Sequence, residues 1–389
     1  MKRFIIFSAI VGLLQVLANA QIIRAPYFIP TIEVETPVVI DTISLSKLDL
    51  VGNIESVFEI SYIVRNDGDS IKYIRPAHFE HNSSDEKNEG VFELDEKFRS
   101  TNFGAIFNSN GFIKKYALLW PNLEPKEINE YDYSRNNRLI KHSKFLYFSD
   151  ATISNIYTFT YPGSSMNPTL IEWSHDGYPA DKTIIEYNYR KQPVKISTID
   201  YDGETESKIY HYSDCGLIFH KETGDIGSSV SFVYNPECMI TEERNTWGDD
   251  LYFTTYYQYS DGNITKITSF RNGEPSYSKT FSYNDGRLHS ILYNQPNRNY
   301  EYTETYDYIG STVTITRIGT DGKSKIKYDN GRIILIERNN NTFTYQYKID
   351  NHGNWIEIVE FKNGIPRYGR KRVIKYIDKG VAASPPGFR

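Results

Sequence analysis

Few residues in this chain are of a type and spacing that could do chemistry. Cys215 and Cys238 are its only cysteines. An even count suggests a disulfide where a chain leaves the reducing cytoplasm. Both fall in near-equivalent turns of consecutive hairpins, and strands about 4.8 Å apart would set such positions about 10 Å from each other. That exceeds the roughly 7 Å Cα limit of a disulfide, so the spacing favours unpaired thiols, with Cys215 and Cys238 kept as a candidate bridge.

Eight histidines are scattered along the chain. His78 and His81, beside Glu80 and Asp85, form an H-x-x-H pair that could approach a divalent metal. Nothing predicts a helix there to align the two rings, and the expectation is a solvated loop. His175 and His352 lie near the turn glycines Gly177 and Gly353, where polar residues belong. Glycosidase chemistry needs two carboxylates roughly 5 to 10 Å apart across a sugar, and 49 Asp and Glu residues supply such pairs by chance. There is no G-x-S-x-G elbow, phosphate-cradling glycine loop or zinc-type Cys/His spacing. The expectation is therefore a non-catalytic protein without a cofactor. Trp120, Trp173, Trp247 and Trp355 are the candidate aromatic platform for stacking on a ligand, weighed against packing at the Gly and Pro turns beside them.

The elements that would position these residues are strands. Aromatic residues make up 15% of the chain, with 32 Tyr against 3 Met, and aromatic side chains suit a pleated, half-buried surface. Residues 1–20 carry Lys2 and Arg3, an apolar run from Phe4 to Leu17 and the small end Ala18-Asn19-Ala20, the three parts of a secretory signal peptide. Export to the periplasm or exterior follows as an expectation. No later run is long and apolar enough for a transmembrane helix, and the mean hydropathy is −0.52. A formal charge of −5 offers no electrostatic reason for a nucleic-acid partner.

An aromatic residue followed by a short polar turn recurs along the chain, as in YDYSRNNRLI from Tyr131, YQYSDGNITK from Tyr257 and FSYNDGRLHS from Phe281. A second turn set, including Asp202-Gly203, Asn272-Gly273 and Asn363-Gly364, interleaves with the first. Asp-Gly and Asn-Gly are the residues a type I′ hairpin asks for, because both central positions need positive φ. Alternation such as Phe343, Tyr345 and Tyr347 against Thr344, Gln346 and Lys348 marks one covered face and one wet face.

The reading is all-β: tandem antiparallel β-hairpin repeats forming a long curled or superhelical sheet, with the aromatic face inside the curl. Residues 1–20 are the signal peptide, 21–43 an extended Pro-containing arm, and 44–101 a capping hairpin and polar loop. The hairpin repeats occupy 102–378, and 379–389 form a disordered tail.

The Tyr-x-Tyr-x-x-x-Gly-x-Ile/Leu pattern resembles the YD (RHS-type) repeats, in particular the small exported members common in Bacteroidetes. Leu50-Val51-Gly52-Asn53-Ile54-Glu55-Ser56-Val57, Tyr283-Asn284-Asp285-Gly286-Arg287-Leu288 and Gly353-Asn354-Trp355-Ile356-Glu357 carry the resemblance. It implies a β-repeat scaffold, which in the large toxin members is a hollow shell around a carboxy-terminal toxin. Only a tail is expected after the last repeat here. The functional expectation is a scaffold or binding protein of the cell envelope whose partner is a glycan or an envelope protein. The alternatives are a carbohydrate-active enzyme with its site inside the curl, or a remnant of a toxin-type shell without cargo.

Overall fold

The computed structural model describes Leu45 and residues 48–377, apart from 69, 75–101, 121, 150, 224–226 and 249–250. The segments expected to be a signal peptide, a Pro-containing arm, the polar loop with His78 and His81, and a disordered tail lie outside the described residues.

Strands β1 (Ile54–Asp67), β2 (Ser70–Ile74), β3 (Asn102–Phe107), β4 (Ile113–Leu119), β5 (Pro125–Tyr133) and β6 (Leu139–Tyr147) come first. They are followed by β7 (Thr152–Thr160), β8 (Leu170–His175), β9 (Tyr178–Tyr187), β10 (Pro193–Ile199), β11 (Thr205–Ser213) and β12 (Gly216–Thr223). Next come β13 (Ser228–Tyr234), β14 (Ile240–Trp247), β15 (Leu251–Ser260), β16 (Asn263–Arg271), β17 (Glu274–Asn284) and β18 (Arg287–Gln295). The last are β19 (Tyr300–Ile309), β20 (Thr312–Gly319), β21 (Gly322–Asp329), β22 (Arg332–Arg338), β23 (Asn341–Ile349), β24 (Trp355–Lys362) and β25 (Ile365–Tyr376).

From β3 to β25 each strand pairs antiparallel with the next, as the hairpin repeat demands. The open, superhelical sheet is corrected, however. β1 pairs with β25 from Ile54↔Tyr376 to Ile63↔Tyr368 on one side and with β3 from Ser56↔Ile106 to Glu59↔Phe103 on the other. The sheet therefore closes into an up-and-down barrel. β1 is its closing strand rather than part of a cap, and among the described strands only β2, paired to the far half of β1, stands outside the ring. Closure removes the two rows of unpaired N–H and C=O groups that an open edge leaves exposed.

Two kinds of turn join the strands. At Asp285-Gly286 both central residues have positive φ, +49° and +74°, the type I′ conformation the dipeptide favours. Elsewhere a longer turn ends in one left-handed residue. In the Asn188 turn, Asn188 Oδ1 accepts the amides of Arg190 at 2.9 Å and Gln192 at 3.0 Å, and Lys191 takes φ +62°.

The motif tyrosines link one hairpin to the next at a common end. In four consecutive copies the Tyr that ends the motif's first strand donates its hydroxyl to a main-chain carbonyl of the preceding hairpin. Tyr212 reaches Pro193 O at 2.9 Å, Tyr234 reaches Leu217 O at 2.8 Å, Tyr259 reaches Ile240 O at 2.6 Å and Tyr283 reaches Ile264 O at 2.8 Å. The first aromatic and the apolar residue after the turn fill a belt beneath, with Tyr210, Leu217, Phe232 and Ile240 forming one segment. Phe281, Leu288, Ile264 and Tyr306 form another.

On a closed sheet, side chains of the concave face converge and those of the convex face splay apart. The buried belt thus marks the lumen side, and alternate residues point outward.

At the seam, Glu59 of β1 accepts Arg370 Nη1 at 2.9 Å and Arg372 Nε at 2.8 Å. Arg372 also lies over the Trp355 ring at 3.5 Å. Gly369 leaves room for the β1–β2 hairpin, since a Cβ there would stand 2.9 Å from Val64 Cγ2 and 3.1 Å from Tyr73 Cε1.

Candidate binding surface on the inner wall

Strand register places two combs of rings on the inner wall. In the first, Tyr131 stacks on His142 with centroids 4.5 Å apart, His142 on Tyr157 at 5.5 Å, and Tyr157 on Trp173 at 6.1 Å. The four belong to β5, β6, β7 and β8, directly opposite one another in the ladder. In the second, Tyr277 stacks on Tyr293 at 5.9 Å and Tyr293 on Tyr302 at 4.8 Å, and the Arg317 guanidinium covers Tyr302 at 3.9 Å. Arg317 is held by Asp321 at 3.2 Å and donates to the Tyr300 hydroxyl. Rings stacked across strands have their faces occupied by one another, so they present edges and hydroxyls to the lumen.

Polar groups between the rings are paired. His142 Nε2 meets Asn129 Oδ1 at 2.9 Å, Asn129 donates to Glu127 at 2.8 Å, and Lys144 lies 3.1 Å from Glu127. Burial, with the Lys144 charge adding to it, pushes the His142 imidazole down to about 4, so its neutral form is the stable one at neutral pH. Asn155 Oδ1 accepts Trp173 Nε1 at 3.1 Å and meets His175 Nδ1 at 3.0 Å. Burial and the charges of Glu59 and Glu127 push the Tyr116 hydroxyl far up. Tyr257 likewise is raised by burial and by donating to Glu243 at 2.7 Å.

The four tryptophans do not form one platform. Trp120, 44% exposed, follows β4 with Lys126 Nζ 4.8 Å over its ring. Trp247, 61% exposed, ends β14 at the same end of the barrel. Trp173 belongs to the first comb. Trp355 is only 3% exposed, a correction to its place in the platform: the Arg372 guanidinium from the neighbouring strand lies over its ring, and Trp355 packs in a cluster with Ile358, Tyr345, Tyr347 and Tyr368.

The cysteine spacing is also corrected. Cys215 and Cys238 stand with Cα atoms 5.0 Å apart and their sulfurs bonded. Register shifts next to both turns, between His211 and Tyr212 and between Val233 and Tyr234, lean the two hairpin tips together. Bulges bend a strand and increase its twist, so the flat-sheet separation of about 10 Å does not apply.

Neither comb stands out in the sequence by itself. Only the register shows that Tyr131, His142, Tyr157 and Trp173 lie side by side, and the available clue was that each sits on the motif-Tyr face of its strand. Among the described residues no group of His, Cys, Asp and Glu is placed to hold a metal ion.

The outer wall is of different character. Lys115–Glu130 at 2.9 Å, Lys182–Glu172 at 3.6 Å, Lys325–Glu337 at 3.4 Å and Lys348–Glu357 at 3.1 Å are cross-strand ion pairs there. Between them run rows such as Ser278, Thr280 and Ser282 on β17. Exposed apolar residues such as Leu292 and Val373 are interspersed with these rows.

No protein-family model matches the chain, and no curated protein does. Among solved structures it is similar to TcdB2-TccC3, with 11% identity over 71% of this chain and 20% of that one at a TM-score of 0.34. It is also similar to a porin-like protein from Bacteroides uniformis, with 16% identity over 53% of this chain and 96% of that one at a TM-score of 0.25. The chain spans about a fifth of the TcdB2-TccC3 chain. At these scores the matches are loose, and the fold described here rests on the chain's own strand register.

Proposed function

We propose that this chain is an exported, non-catalytic barrel of the cell envelope that binds a glycan strand against its inner wall. The observation that carries the reading is the contrast between the two walls. The outer one bears ion pairs and hydroxyl rows, whereas a lipid-facing barrel shows an outward apolar band with aromatic girdles. The inner one carries ring edges, tyrosine hydroxyls, amides and paired charges, the groups that hydrogen-bond a polyhydroxylated ligand. A ring of 24 strands, β1 and β3 to β25, belongs to the size class that encloses a lumen rather than a side-chain core.

The alternative of an enzyme inside the barrel draws on inner-wall carboxylates such as Glu59, Glu127, Glu243 and Glu304. Each of these four has a hydrogen-bonding or ionic partner, which favours a structural role for it. The resemblance to YD repeats agrees with a scaffold and leaves the ligand open. The test is a glycan array and an envelope pull-down with the full chain, each repeated with Tyr293→Ala and with the outer-wall variant Glu337→Gln. Retention that falls with Tyr293→Ala and not with Glu337→Gln supports the reading; two empty screens overturn it.

A further inference from the structure

The ladders of the barrel are not equally long, and among the described residues the shortest, three residue pairs, lies under the disulfide. β12 and β13 pair only at Phe219↔Ser231, His220↔Val230 and Lys221↔Ser229. The hairpins on either side are held internally over much longer stretches, β11 to β12 from Ser207↔Thr223 to Ser213↔Gly216 and β13 to β14 from Ser228↔Trp247 to Tyr234↔Ile240. Two well-paired hairpins therefore meet at a weak joint. Three features cross it besides the short ladder. They are the Tyr234 hydroxyl on Leu217 O at 2.8 Å, the belt contacts of Tyr210, Leu217, Phe232 and Ile240, and the bond between Cys215 and Cys238. The main chain joins β12 to β13 at the far end, between Thr223 and Ser228, and the disulfide is the covalent link at the near end, where it ties the tips of the two hairpins together.

We propose that the β12–β13 joint is a reduction-sensitive seam, at which the barrel wall parts when the Cys215–Cys238 bond is opened. Cys238 is exposed and Cys215 half-exposed, so a small dithiol can reach the sulfurs. The reductant supplies two electrons and two protons. The Sγ–Sγ bond breaks, each sulfur becomes a thiol, and the two thiols of the reductant close to its own disulfide. With the tips released, the β12–β13 joint is free to open from the cysteine end, held by three residue pairs, the Tyr234 bond and the belt contacts, while the main chain keeps its far end closed; short ladders open at lower free energy than long ones. Elsewhere the ring is untouched, because each neighbouring strand pair keeps its own ladder. The seam would give lateral access to the lumen in a reducing environment and keep it shut in an oxidising one, where disulfides persist.

Hydrogen exchange on the full-length protein tests this, comparing the oxidised form, the form treated with dithiothreitol, and the Cys215→Ser/Cys238→Ser variant without reductant. The expected result is at least tenfold faster exchange in β12 and β13 after reduction and in the double variant. The β16 and β17 amides, whose ladder runs from Lys266↔Thr280 to Arg271↔Glu274, should not change. If the variant does not fold, the reduced native chain carries the comparison alone. Equal exchange in oxidised and reduced protein, loosening spread over the whole ring, or two free thiols in the untreated protein by mass spectrometry would each overturn the proposal. The outcome is independent of what the lumen binds.

Discussion

Asn354 grips Val51 by both of its main-chain polar groups, accepting Val51 N on Oδ1 at 2.7 Å and donating Nδ2 to Val51 O at 2.8 Å. The same amide donates to the Tyr376 hydroxyl at 2.7 Å. One side chain at the start of β24 therefore ties down the segment entering β1 and the end of β25. Asn354→Ala removes all three bonds, releasing both main-chain groups of Val51 while the Tyr376 hydroxyl keeps its bond to Asp350. A loss of about 2 to 4 kcal/mol in urea unfolding is expected, taking 1 kcal/mol or more per bond. A change within 0.5 kcal/mol would show that the barrel does not depend on this clamp.

Glu59 is buried and carries both Arg370 and Arg372. Removing one partner of a buried ion pair leaves uncompensated charge and costs about 3 to 5 kcal/mol. Glu59→Ala should destabilise the protein by that amount and raise hydrogen exchange first in β1 and β25. Glu337→Ala breaks an outer-wall pair and should cost under about 1 kcal/mol. Equal costs for the two would contradict the difference between seam and surface.

The tyrosine links predict a position-dependent effect of removing one oxygen. Tyr283→Phe keeps the ring and deletes the donor to Ile264 O, and should cost about 1 kcal/mol. Tyr189→Phe, at an exposed ring in a turn, should leave the unfolding midpoint unchanged. Parallel denaturant titrations distinguish the two.

His142 gives the barrel a pH dependence of known sign. Its folded-state value, about 4, lies below the ordinary 6.5. The unfolded chain therefore binds the proton more readily. The stabilisation is complete above about pH 6.5 and is lost as pH falls from there towards 4. The full span corresponds to on the order of 3 kcal/mol. Stability measured from pH 7.5 to 4 should fall less steeply in His142→Phe than in the native chain; identical slopes would refute the assignment.

Much of the hairpin repeat was legible because its causes are local. Asp285-Gly286 specifies its turn through the φ values it tolerates, and Phe343, Tyr345 and Tyr347 declare a covered face by alternation. Closure was not legible, since Ile60 and Lys371 pair across most of the chain and nothing in either strand alone says whether two edges meet. The cysteines show the limit of an idealised sheet, because bulges beside Tyr212 and Tyr234 bring the turns together where even spacing would hold them apart. Trp355 looked like a turn residue available for stacking, and the long-range arrival of Arg372 over its ring is what buries it.

Closure with the aromatic face inward is the central claim, and a distance across the seam tests it most directly. Spin labels at Val373→Cys on β25 and Lys115→Cys on β4, both on the outer wall, are separated by β1 and β3 in the ring. At about 4.8 Å per strand, the closed barrel predicts a label separation of roughly 15 to 25 Å by pulsed electron resonance. A distribution centred beyond about 50 Å would mean that β25 and β4 lie at opposite edges of an open sheet, and would contradict the account.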